Sequence, residues 1–192
     1  MSVSSTSDTK ADLRAAALAR RDALTPAARA AIAEAIAARG LPPSIAPLSI
    51  VAGYCPIRSE IDPLPLLRGL ARHGARLALP VVTARDQPLT FRSWSPHARL
   101  VKGAFGILEP EADAEAVAPD VVLVPLAAFD RVGHRIGYGA GYYDRTFAQL
   151  RRGKRVIAVG IAAAIQQVDH IPALPHDVRL DYIATERETI AP

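Results

Sequence analysis

The residues best suited to chemistry in this chain lie between Val121 and Arg145, in the run VVLVPLAAFDRVGHRIGYGAGYYDR. Gly133, Gly137, Gly139 and Gly141 punctuate a turn between an apolar stretch and a segment with helical spacing. Alternate glycines accept positive φ and put no Cβ in the way, so successive backbone N–H groups can converge on one anion. The helix that follows adds the partial positive charge of its N-terminus. Phosphate is the natural guest of such a loop, and an ordinary glycine-rich turn is the alternative that spacing alone leaves open. Gly137-x-Gly139-x-Gly141 is not the dinucleotide fingerprint, which needs a glycine where Tyr142 stands, and no Gly-Lys-Ser/Thr follows to make a Walker A loop.

Charged residues around the loop offer further chemistry. Arg135 carries a forked guanidinium that matches two phosphate oxygens, or else is a solvated loop charge. Asp144 falls in the first turn of the segment starting at Tyr142, where an acid commonly answers the helix dipole. Lys10 and Arg14 are four apart on one helix face and repel each other, so an anion between them would explain the pair; a solvated face is the plainer reading. Cys55 is the only cysteine, which excludes an internal disulfide and a thiolate metal cage. The histidines, at 73, 97, 134, 170 and 176, include no pair with the close spacing of a helical zinc site.

The elements that must position these residues follow from periodicity. Asp8 to Leu24 reads as an amphipathic helix with Leu13, Ala17, Leu18 and Leu24 near one stripe. Thr25-Pro26 caps a second helix over Ala27 to Arg39, closed by Gly40. Pro42, Pro43 and Pro47 make an irregular approach to a strand from Leu48 to Tyr54. Leu64, Leu67 and Leu70 share a helical face, and Arg76 to Val82 is the next strand. Leu89 to Trp94 alternates like an edge strand, and residues 95 to 120 read as a long connection. Val121 to Val124 is a β-branched run of the kind buried on both faces of a sheet. A helix over 142 to 152, a strand from Arg155 to Ile161 and a short strand from Tyr182 to Thr185 complete a rhythm that favours a parallel sheet.

Half of the 192 residues are hydrophobic, enough for one α/β domain over residues 10–192 behind a Ser/Thr-rich leader at 1–9. Lys plus Arg number 23 and Asp plus Glu 19, an excess of four that suits anionic small molecules. It is weaker than a dedicated nucleic-acid binder needs, and no basic cluster interleaved with aromatics accompanies it. No apolar run approaches the roughly 18 residues that span a bilayer, and residues 1–9 lack the apolar stretch of a secretory signal. The expectation is a cytoplasmic protein that acts on small molecules, without membrane or nucleic-acid partners, as a monomer or weak homodimer.

The stretch Phe129-Asp130-x-x-Gly133-x-Arg135-Ile136-Gly137-Tyr138-Gly139-x-Gly141-Tyr142-Tyr143-Asp144-Arg145 resembles the signature of the 5-formyltetrahydrofolate cyclo-ligases, also called 5,10-methenyltetrahydrofolate synthetases. Lys10-x-x-Leu13-Arg14, Ser59-Glu60-Ile61-Asp62 and Phe105-Gly106-Ile107-x-Glu109-Pro110 look like further landmarks of that family in the right order, so the resemblance covers about residues 10 to 186. It implies a three-layer α/β fold with a mostly parallel sheet, of the sugar-isomerase and CoA-transferase-like type. It also implies closure of the N5-formyl group of 5-formyltetrahydrofolate onto N10 at the expense of MgATP. Carried over by motif, Lys10, Arg14 and the segment Arg135, Ile136, Gly137, Tyr138, Gly139, Ala140, Gly141, Tyr142 and Tyr143 would contact ATP. Arg135 and Lys10 would neutralise phosphate charge, and Asp144 and Asp181 would hold Mg²⁺. Cys55, Glu60, Phe105 and Tyr143 would line the folate pocket, where a carboxylate suits the adjacent donors of a pterin edge. Phe91 and Trp94 are further aromatic candidates for its walls. The Asp181 motif is the weakest of these, and a strand-edge charge is the plainer reading of it. Two departures from the pattern are Ala140, where glycine or lysine is frequent, and Pro63, where threonine is common. Rival readings are a non-catalytic relative that sequesters folate or nucleotide, and a sugar-phosphate isomerase on a related fold.

Overall fold

The computed structural model describes residues 9–42, 49–174 and 177–192; most of the expected leader, together with Pro43, Pro47 and Leu48, lies outside them. Helix α1, Lys10–Asp22, starts at a capping box: the Asp12 N–H donates to Thr9 Oγ1 at 3.3 Å, and the Thr9 N–H to Asp12 Oδ2 at 3.1 Å. Helix α2, Pro26–Arg39, opens with the expected proline in its first turn and a Thr25 cap that accepts from the Ala28 N–H at 3.1 Å. Gly40, at φ +73°, ends it.

Strand β1 (Ile50–Ala52) leads through α3 (Leu64–Arg72) to β2 (Arg76–Val81), which pairs with β1 in parallel. Strand β3 (Thr90–Trp94) turns back antiparallel to β2 and forms one edge, as its alternation predicts. The expected connection from 95 to 120 holds an antiparallel hairpin, β4 (Leu100–Lys102) with β5 (Leu108–Pro110). Strand β6 (Val121–Pro125) then inserts beside β1. A small hairpin, β7 (Ala128–Phe129) with β8 (Arg135–Ile136), carries the chain into the glycine loop and α4 (Tyr142–Leu150). Strands β9 (Ile157–Ile161), β10 (Tyr182–Ala184) and β11 (Thr189–Ile190) close the order β11-β10-β9-β6-β1-β2-β3, with only β3 and β11 antiparallel. The hairpins and β11 escape a reading by periodicity because strands of two or three residues do not complete a pattern.

Two packed cores flank the sheet. Val51, Leu77, Leu79, Val121, Leu123 and Val159 pack with Ile32, Ala33 and Ile36 of α2 and Leu66 and Leu67 of α3. Ala52, Ala78, Val122, Val124, Ala158 and Ile183 face Phe147 of α4 on the other side. This is the expected three-layer arrangement of a parallel sheet covered on both faces. Phe91 belongs to the second core and Trp94 to the first, so both aromatics serve packing. Helix α1 packs through the expected Leu13 and Ala17, with Leu24 just past its end against the first core, and adds one side chain the stripe did not include, the buried Arg21. It lies against the β7–β8 hairpin, where Ala17 meets Ala128, Ile136 and Ile171.

Candidate active site

From β1 the chain winds to one side through β2, and β6 then returns to the other side of β1. In an open parallel sheet such a reversal leaves a crevice beyond the carboxyl ends of the two strands, where ligands bind. The segment leaving β1 carries Tyr54, Cys55, Ser59 and Glu60 past that end of the sheet, and the residues after β6 include Leu126, whose carbonyl accepts from Arg21 Nη1 at 3.3 Å. The glycine loop joins them through Tyr138, whose hydroxyl accepts from Arg21 Nη2 at 2.6 Å.

Glu60 is 8% exposed. Its Oε2 accepts from the Ile57 N–H at 2.9 Å. Burial pushes its carboxyl up to about 7, against the opposing pull of the Ile57 N–H, Arg21, the Tyr138 hydroxyl and Arg58. Tyr143 lies within electrostatic reach of Glu60, Arg135 and Cys55, and burial drives its phenol well above the ordinary value. Burial, with Asp62 nearby, raises the Cys55 thiol to about 11, so this side chain is a neutral wall and not a nucleophile. Three of the expected pocket residues, Cys55, Glu60 and Tyr143, therefore share one environment.

Phe105 stands apart from that cluster. It is 61% exposed in the turn of the β4–β5 hairpin, at φ +57°, with the Arg85 guanidinium 5.8 Å from its ring centroid. The structure does not bring it to Glu60.

The glycine loop is held by its carbonyls. Arg14 Nε donates to the Gly137 carbonyl at 2.8 Å, and Arg145 Nη2 donates to that of Ala140. None of the N–H groups of Gly137 to Gly141 donates to an acceptor among the described residues. Gly139 and Gly141 take φ of +99° and +66°, which a side chain would resist, and a Cβ at Gly137 would meet open space. A row of donors without acceptors among the described residues, leading into the first turn of α4, has the geometry of an anion cradle.

The charged residues around the cradle are more committed than their spacing suggests. Arg135, only 6% exposed at its side chain, donates through Nη2 to Asp144 Oδ1 at 2.7 Å and through Nη1 to the Val178 carbonyl. Its fork is thus already engaged. Asp144 Oδ1 also accepts from the Val178 N–H at 3.1 Å, while Oδ2 accepts nothing among the described residues. Lys10 pairs with Asp177, which relieves its repulsion with Arg14 without an anion between them.

Asp181 is not brought to Asp144. It precedes β10 at the amino end of the parallel strands, where it accepts from Arg151 Nη2 at 2.7 Å and from the Ala158 N–H at 2.8 Å. Arg151 caps the C-terminal end of α4 and Asp144 lies in its first turn, so the two acids sit at opposite ends of one helix. Seven residues of helix rise separate those ends by about 10 Å along the axis, and among the described residues the two carboxyl groups share no hydrogen-bond partner. The structure thus does not bring Asp181 to Asp144 as a second ligand, and gives it the partners of a strand-end charge, Arg151 and the buried Ala158 N–H.

Sequence reasoning missed Arg21. It lies seven residues beyond Arg14, so Lys10, Arg14, Ala17 and Arg21 fall on one helical face, and that spacing was the available signal.

The model of the 5-formyltetrahydrofolate cyclo-ligase family matches residues 6–186. A 5-formyltetrahydrofolate cyclo-ligase of Mycolicibacterium smegmatis is 38% identical over 94% of this chain and 95% of its own length. One from Escherichia coli K12 is 34% identical over 86% and 94%. Among solved structures, a 5,10-methenyltetrahydrofolate synthetase of Aquifex aeolicus superposes with a TM-score of 0.79 at 32% identity, covering 95% of this chain and 92% of that one. A synthetase of the same kind from Mycoplasma pneumoniae gives 0.71 at 26% identity over 92% and 98%. With a sheet crevice that pairs a buried acid with an anion cradle, and a match along nearly its whole length, this chain is an enzyme of the 5-formyltetrahydrofolate cyclo-ligase family.

Proposed function

We propose that the chain cyclises 5-formyltetrahydrofolate to 5,10-methenyltetrahydrofolate with ATP, releasing ADP and phosphate. The observation that carries this reading is the convergence, in one crevice, of Glu60 with a glycine loop whose five N–H groups have no acceptor among the described residues. The formyl oxygen is a poor leaving group. Transfer of the γ-phosphoryl group to it makes a good one, N10 then attacks the activated carbon, and the oxygen departs with the phosphate. Such a reaction asks for positioning and charge neutralisation more than for acid–base groups.

The side chains suit those tasks. The N–H groups of residues 137–141 receive the phosphates, supported by the N-terminus of α4. Arg135 acts through Asp144, because the ion pair holds that acid in place. Lys10 and Arg14 stand on the helix face against the loop, Arg14 bonded to Gly137. Glu60, when ionised, accepts from the pterin N–H and amine, with Cys55 and Tyr143 as its neighbours. A magnesium ion fits Asp144 Oδ2, which accepts nothing among the described residues, together with phosphate oxygens, and it would supply charge neutralisation on the phosphates. A protein that binds folate without turning it over is the reading that kinetics must separate from this one.

The test mixes the protein with 5-formyltetrahydrofolate and MgATP and follows the near-ultraviolet absorbance of the methenyl product, with ATP omitted as control. An ATP-dependent rise is expected. A flat trace with tight folate binding would replace the catalytic reading with a sequestering one.

A further inference from the structure

Arg21 is the largest fully buried side chain among the described residues, at 1% exposure. Its hydrogen bonds all go to neutral acceptors: Ser59 Oγ at 3.0 Å, the Leu126 carbonyl at 3.3 Å and the Tyr138 hydroxyl at 2.6 Å. The three acceptors come from three places: the loop that carries Glu60, the segment leaving β6, and the glycine loop. The Ser59 hydroxyl in turn donates to Asp22, so the guanidinium reaches a carboxylate by hydrogen bonds only through an intervening hydroxyl. Two guanidinium groups lie near the Tyr138 ring, with Arg21 5.9 Å and Arg58 5.5 Å from its centroid, and its hydroxyl also bears on the proton affinity of Glu60.

A guanidinium buried in this way is expensive to keep, and an apolar side chain of similar volume would hold α1 to the sheet at lower cost. What an apolar replacement could not do is bond both loops at once. Arg21 donates to Ser59, next to Glu60, and to Tyr138, in the middle of the anion cradle, through two nitrogens of one rigid planar group. A displacement of either loop is therefore transmitted to the other.

We propose that Arg21 is a positioning residue that couples the glycine loop to the Glu60 loop, so that nucleotide and folate bind cooperatively. The inference rests on the functional reading above, in which the first loop takes ATP and the second takes the folate. Two ligands coupled in this way must raise each other's affinity by one common factor, since linkage is reciprocal.

The experiment measures the dissociation constant of 5-formyltetrahydrofolate by calorimetry, alone and with a saturating non-hydrolysable ATP analogue and Mg²⁺. The reverse titration checks for the same factor. The natural chain is compared with Tyr138→Phe, which deletes one acceptor, and with Arg21→Lys, which keeps the charge and loses the fork. The quantity read is the ratio of the two constants, whatever each variant's own affinity. A factor of about five or more is expected for the natural chain, falling below about two in Tyr138→Phe and Arg21→Lys. Should Arg21→Lys not fold, Ser59→Ala takes its place: it removes the acceptor on the Glu60 loop and leaves the Tyr138 hydroxyl beside Glu60. Binding of both ligands with a factor near one in the natural chain, or an undiminished factor in Tyr138→Phe, overturns the coupling while leaving the functional reading in place. Binding of neither ligand overturns the functional reading, and the coupling with it.

Discussion

Glu60→Gln should make the protein more stable at alkaline pH and a poorer binder of folate. The carboxyl is held up at about 7 in the folded protein, chiefly by burial, against an ordinary value of 4.5. Between those two values the folded state keeps a proton that the unfolded chain has released, so stability falls as pH rises through that window. With about 1.4 kcal/mol per pKa unit, this shift costs roughly 3 kcal/mol of stability at pH 8, where the group is ionised, and about 1 kcal/mol at pH 5, where it keeps its proton. Glutamine removes the titration and still offers an oxygen to the Ile57 N–H that Glu60 engages. Its advantage should therefore grow by about 2 kcal/mol from pH 5 to pH 8, or about 1 M in urea midpoint for a slope near 2 kcal/mol/M. Urea unfolding at several pH values measures this directly. The same ionised group is the one offered to the pterin, so the natural chain's affinity for 5-formyltetrahydrofolate should rise with pH up to about 7, by at most about tenfold per unit. In the Gln variant that dependence should vanish. A stability gap that stays constant with pH, or a variant that is less stable at pH 8, would refute the account of Glu60 as a destabilised, buried acid.

Other perturbations read the remaining residues. Asp144→Asn deprives Arg135 of its charged acceptor and the proposed ion of its carboxylate, so the magnesium concentration for half-maximal activity should rise several-fold; an unchanged titration would remove Asp144 from the metal. Asp181→Asn should lower stability by about 1 kcal/mol through Arg151 and the Ala158 N–H, with no change in the magnesium titration, and a shifted titration would restore the acid to the metal site. Gly139→Ala places a Cβ at φ +99°, a strain of about 1–3 kcal/mol within the anion cradle, and should raise KM for ATP more than KM for the folate. Phe105→Ala should leave the urea midpoint within about 0.5 kcal/mol of stability, because the ring is exposed; its KM for the folate then tells whether the β4–β5 hairpin reaches the ligand.

Much of the site was legible in the chain. Glycines at 137, 139 and 141 imply a strained turn because few other residues accept positive φ, and at 139 and 141 the turn takes that form. The run Val121 to Val124 implies a strand buried on both faces, and it lies at the centre of the sheet. Lys10 and Arg14 on one face required only a helix. Less legible was what each charge would meet. The chain alone does not show that the Arg135 guanidinium meets Asp144 and the Val178 carbonyl, partners that come from nine and forty-three residues away. Asp181 looked like a second metal ligand until the parallel pairing of β10 with β9 placed it at the opposite end of the strands.

The sequence by itself determined the local geometry: helix caps, the conformations demanded by glycine, the apolar strands and the family to which its motifs belong. Each of these depends on interactions within a few residues, or on a pattern that can be read in one dimension. Only the tertiary structure decided that β6 returns to the other side of β1, that Glu60 is buried in the segment beyond β1, and that Arg21 joins its loop to the glycine loop. Burial and electrostatic pairing are properties of neighbours in space, and the neighbours of Arg21 are brought in from 38, 105 and 117 residues away by the winding of the sheet.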